Sequence, residues 1–168
     1  MPGFLSRLFS GQRKTVDTVV EVKRVEDIPP IIEANRILLN QDYRRAISLL
    51  FKAMRADYTR FYNSSIKESV LNRQFLIESY REFGMDLDRR AYTDNFYLVD
   101  AIAAPPPINE EKINQYNALR KLTYFYLDYY EPANYSISPI PNPEAIMERA
   151  TEFYGFLNIV KLYFEDKK

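Results

Sequence analysis

The chain has 168 residues with no histidine, cysteine or tryptophan; 46% are apolar, 27% are charged, and acids balance bases to a formal net charge of zero. That composition predicts one soluble globular domain and excludes imidazole catalysis, thiol nucleophiles, disulfides and the usual zinc sites. It also removes whole-molecule steering toward nucleic acid or anionic membrane.

Residues 1–14 read as a basic, apolar arm. Arg7, Arg13 and Lys14 precede any acid, while Phe4, Leu5, Leu8 and Phe9 gather on one face of a short helix. Four large apolar side chains on so short a segment cannot build a core. They dock on the body, enter a partner's groove or lie at a membrane surface. The arm has no apolar stretch or cleavage site of a secretory signal, and no segment reaches the ~20 apolar residues of a membrane span. The expected location is cytoplasmic; the absence of cysteine suits a reducing compartment or a thermophilic source. In residues 16–26, Val20 and Val22 alternate with Glu21 and Lys23 as in a short strand, although Val16, Val19, Val20 and Val25 fit a helix almost as well. Residues 1–28 are taken as arm and linker, and 29–168 as a helical bundle.

From Asp27 onward the pattern is helical, and the fold class expected is all-α, a single bundle of about six helices. Asp27 is placed to cap a helix opened by Pro29 and Pro30 and running to Asn40. Asp42 caps a second, to about Asn63, with a stripe of Ala46, Ile47, Leu49, Leu50, Ala53, Met54 and Phe61. Ser65 and Glu68 have capping-box spacing for a third, ending at Gly84. A fourth is expected from Asp88 to Ala103, before the Pro105–Pro107 run, and a fifth from Asn109 to Glu131, before Pro132. Asn142, Pro143 and Glu144 open the sixth, whose Ile146, Ala150, Phe153, Leu157, Val160 and Phe164 form one seam.

Tyr43, Ala46, Ile47, Leu49, Leu50, Lys52, Ala53 and Met54, within residues 42–54, resemble the second helix of a tetratricopeptide repeat. There a small Ala lets helices approach closely and a Tyr packs over the hairpin. Gln41 stands where that repeat usually has Gly, and Ile77 and Tyr80 replace Tyr43 and Ala46 one repeat length (~34 residues) on, so no array is implied. The same stretch is similar to HEPN-type helical domains, of a non-nucleolytic kind because the chain lacks His. With Tyr130–Tyr135 it also resembles the helical domain of some transglutaminase-related membrane proteins.

The chemistry left open is limited. Asp86 and Asp88 have the spacing of a cation-binding pair, but at a helix junction Asp88 is more simply a cap. Four glycines form no phosphate loop, nothing positions a carboxylate pair for hydrolysis, and no cofactor or metal is expected. Charge is segregated: residues 34–63 hold Arg36, Arg44, Arg45, Lys52, Arg55 and Arg60 against Asp42 and Asp57. Residues 86–111 hold Asp86, Asp88, Asp94, Asp100, Glu110 and Glu111 against Arg89 and Arg90. Fourteen Tyr and eleven Phe make the chain 15% aromatic, and those at Tyr124, Phe125, Tyr126, Tyr129 and Tyr130 crowd the fifth helix, which makes it the bundle's central helix or a partner's contact.

These features predict a non-enzymatic interaction module or complex subunit. Its docking residues are Phe4, Leu5, Arg7, Leu8, Phe9, Arg13 and Lys14 together with Tyr-, Phe- and Arg-rich helical surfaces. The expected partner is a protein or a second copy, with peripheral membrane contact through the arm as a further destination. The alternative is RNA or single-strand binding through Arg44, Arg45, Lys52, Arg55 and Arg60, with Tyr43, Tyr58 and Tyr62 interleaved.

Overall fold

The computed structural model describes residues 23–104, 106, 108–135 and 142–165. Among them are six helices and no strand: α1 (Pro29–Leu39), α2 (Tyr43–Tyr62), α3 (Asn72–Arg81), α4 (Asn95–Ala103), α5 (Glu110–Phe125) and α6 (Pro143–Val160). Helix α5 runs on through a π-turn, Tyr126–Tyr130, into a last turn, Glu131–Tyr135; α6 runs into a π-turn at Lys161–Glu165. Of the stretch read as a strand, Val25 and Glu26 belong to a 3-10 turn and residues 16–22 lie outside the described residues.

Side-chain caps set most helix starts. Asp42 accepts from the Arg45 amide, Asp94 from that of Tyr97, Asn109 from that of Lys112 and Asn142 from that of Glu144. Three expected starts move, the first two by way of 3-10 turns. Asp27 ends the 3-10 turn and α1 opens after Ile28, with prolines in its first turn. Asp88 caps only a short 3-10 turn, Arg89–Tyr92, because Asp94 offers a second cap six residues later and the chain restarts there.

The third helix begins at Asn72 rather than Ser65. The Arg55 guanidinium, on α2, accounts for the delay. It donates to the carbonyls of Lys67, Glu68 and Val70 and to Asn72 Oδ1 (2.5 Å), so the connection keeps carbonyls that a helix would have used internally. Gly84, after α3, takes φ +84, the left-handed conformation expected of it.

Helix α5 is central, packing on α2, α3 and α6, while α1 lies across α2 and α6. Tyr58, Tyr80, Tyr116, Phe51, Phe75, Phe125 and Phe153 are the large buried side chains, so aromatic rings supply much of the core. Phe83 and Tyr80 each meet Tyr116 edge to face, with centroids 5.4 and 5.8 Å apart. The buried Tyr80 and Thr123 hydroxyls lie 2.6 Å apart, and Thr123 donates on to the Leu119 carbonyl at 2.8 Å. In α6 the seam holds from Ile146 to Val160; Phe164, within the π-turn, is about half exposed.

Candidate interaction surface on helix α2

The outer face of α2 carries one side of a groove of about 820 Å³. Ser48, Phe51, Lys52, Arg55, Thr59 and Arg60 line it from α2, with Ile66, Glu68 and Asn72 from the connection that Arg55 holds and Tyr130 from the π-turn. Helical periodicity explains the α2 set, since positions 48, 52, 55 and 59 share a face.

Tyr130 reaches the groove through the π-turn. An α-helix with one wider turn rotates every later side chain relative to those before it. Here the ring of Tyr130 sits 4.9 Å from that of buried Phe51 and stacks on Tyr126 at 5.4 Å. The wider turn also bears on Pro132, which would otherwise press on the carbonyl four residues back and end the helix. The helix therefore passes the expected stop at Glu131 and ends at Tyr135.

The predicted cations fare differently. Arg55 is half-buried, committed to the 67–72 connection and stacked over the Phe75 ring at 4.2 Å. Arg60 is hydrogen-bonded to Asp57, whose other oxygen accepts from the Tyr154 hydroxyl at 2.5 Å. Lys52 is exposed and has no ion-pair partner among the described residues. Arg44 and Arg45 are exposed at the start of α2, outside the groove lining. Of the interleaved tyrosines, Tyr58 is buried in the core, and Tyr43 and Tyr62 are partly buried.

Below the groove, Arg73 donates to Glu131 (2.9 Å), to Asn95 Oδ1 (2.6 Å) and to the Ala91 carbonyl, while Asn95 donates to Glu131 at 2.6 Å. This cluster ties the starts of α3 and α4 to the end of α5. Nothing in the sequence flagged it, because its members are up to 58 residues apart.

A second groove of about 590 Å³ lies between the start of α1, the end of α2 and α6; Ile28, Pro30, Phe61, Tyr154 and Leu157 line it. Lys23 enters it, and its carbonyl accepts from Asn158 at 2.9 Å. The arm residues Phe4, Leu5, Arg7, Leu8, Phe9, Arg13 and Lys14 lie outside the described residues. On the acidic side, Asp88 is tied to Arg90 by two side-chain contacts and a backbone cap, which hold its carboxyl at about 2. No group of three acidic side chains with metal-binding placement occurs among the described residues, and no described helix is long and apolar enough to cross a membrane.

Comparison with protein-family models, with curated proteins and with solved structures finds no match for this chain.

Proposed function

We propose that the protein is a non-enzymatic helical interaction module, a subunit of a larger complex. It docks through the basic, apolar arm of residues 4–14 and through the Tyr-, Phe- and Arg-bearing surface around α2. The observation that supports this most directly is the α2 groove. Its volume of about 820 Å³ falls within the range of sites that bury an apolar anchor, its wall is aromatic and its rim cationic. Tyr and Arg are the residue types that carry interface energy, and an amphipathic segment laid in such a groove is a recurrent docking mode. The lining has one carboxylate, Glu68, and so does not hold the carboxylate pair used in glycoside hydrolysis.

Deleting residues 1–14 tests the arm. The shortened chain is expected to keep its helicity and melting temperature by circular dichroism, and to lose retention of a native-source partner or binding to anionic vesicles. An unfolded body, or association left fully intact, refutes the reading. The nucleic-acid alternative has fewer available contacts than its sequence suggests, since Arg55 and Arg60 are engaged within the fold. It predicts binding of single-stranded RNA that weakens steeply with salt and fails in the Arg44→Ala, Arg45→Ala double variant.

A further inference from the structure

Helix α4 is the most apolar of the helices, yet only Leu98 and Ile102 in it are buried. Phe96 is 85% exposed. Val99, Asp100 and Ala103 follow it at helical spacing and share its face, Val99 partly buried and the other two exposed. Apolar helices are normally covered, and an open one marks a surface that something else covers. Within the fold α4 packs chiefly on the Arg89–Tyr92 turn, and its first residue is held by Glu131. Acids outnumber bases around it: Asp94 caps the helix, and Asp86, Asp88 and Asp100 line an open depression beside it with Arg89, while Arg90 pairs with Asp88 and packs on Tyr97.

The opposite charge lies in the α2 groove, where Arg55 is committed to the 67–72 connection and Arg60 to Asp57, and Lys52 is exposed with no ion-pair partner among the described residues. No ion pair among the described residues joins the acidic block to the basic one. Lys52 in the groove and Asp100 on α4 are both exposed and have no ion pair among the described residues, so each is the complement of the other on a second copy. The arm, with Arg7, Arg13 and Lys14, carries the wrong sign for this groove.

We propose that the protein self-associates, the Phe96–Asp100 face of α4 in one copy seating in the Lys52–Arg60 groove of another. Phe96 supplies the apolar anchor against Ile66 and Tyr130, and Asp100 pairs with Lys52. Since the projecting patch and the groove are different surfaces, two copies meet either reciprocally about a two-fold axis or head to tail. The proposal rests on reading the groove as a docking surface, but it is independent of the arm.

Sedimentation velocity of the full chain, across a micromolar concentration series at low and high salt, tests it. Wild type is expected to associate with rising concentration, less so in high salt. Phe96→Ser, Lys52→Glu and Asp100→Lys are each expected to weaken association at least about tenfold with helicity unchanged. An equimolar mixture of the Lys52→Glu and Asp100→Lys chains is expected to recover it, because each then meets its complement. The chain lacking residues 1–14 is expected to associate like wild type, so failure of the arm reading leaves this result standing. A wild type that stays monomeric throughout overturns the proposal, as does association that survives Phe96→Ser and Lys52→Glu or vanishes with the arm. A monomeric chain that binds RNA or an acidic protein through Lys52 gives the groove to that ligand and overturns it too.

Discussion

At the scale of single residues, the buried hydroxyl pair of Tyr80 and Thr123 gives unequal losses on its two sides. Thr123→Val strips the Tyr80 hydroxyl of its partner in a fully buried site, and a cost of about 1–3 kcal/mol is expected in urea unfolding. Tyr80→Phe leaves Thr123 bonded to the Leu119 carbonyl, so about 1 kcal/mol is expected. Equal losses would contradict the arrangement. Their pairing is not legible in the sequence, since a Thr and a Tyr 43 positions apart carry no shared local signal. Arg55 makes the same point from the other side. Its charge and face were legible, but its engagement with the Lys67, Glu68 and Val70 carbonyls depends on a chain segment brought close only by folding. Caps, by contrast, act within three residues, and Asp42, Asn109 and Asn142 stand where local chemistry put them.

Among the elements, α4 and α5 differ most in how they are held. Helix α5 contacts three others along its length, whereas α4 packs chiefly on one short turn. Otherwise α4 is held by Leu98 and Ile102 in the core, by the Tyr116 hydroxyl on the Ile102 carbonyl and by Asn95 between Arg73 and Glu131. Amide hydrogen exchange is therefore expected to open α4 at a lower free energy than α2 or α5. Equal protection in a dilute sample would contradict this, while protection of α4 that rises with protein concentration would follow from self-association. The seam of α6 was readable from its repeat up to Val160 because a uniform helix keeps its faces aligned. It fails at Phe164 for the reason that Tyr130 was missed as a groove residue: each lies in a π-turn, and one extra residue in a turn resets the face.

For the molecule as a whole, the aromatic core sets a pH limit on the alkaline side. Burial holds the phenols of Tyr58, Tyr80 and Tyr154 above the ordinary value of 10.0, and the Asp57 carboxylate raises Tyr154 further. Below pH 10 both folded and unfolded chains keep these protons. Above it the unfolded chain ionises while the native one does not, so stability falls by about 1.4 kcal/mol per pH unit for each such phenol. Thermal melting is expected to drop above pH 10, with the last phenolate absorbance appearing only as helicity is lost. Complete tyrosine ionisation with helix content intact would contradict it. The all-α class, the count of helices and the caps at Asp42, Asn109 and Asn142 were settled by the amino-acid order itself, because periodicity and capping are local. The groove, the Arg73–Asn95–Glu131 cluster and the open face of α4 were decided only by tertiary structure. Each is made of residues far apart in the chain, placed by π-turns and long-range hydrogen bonds whose energies no short window of sequence contains.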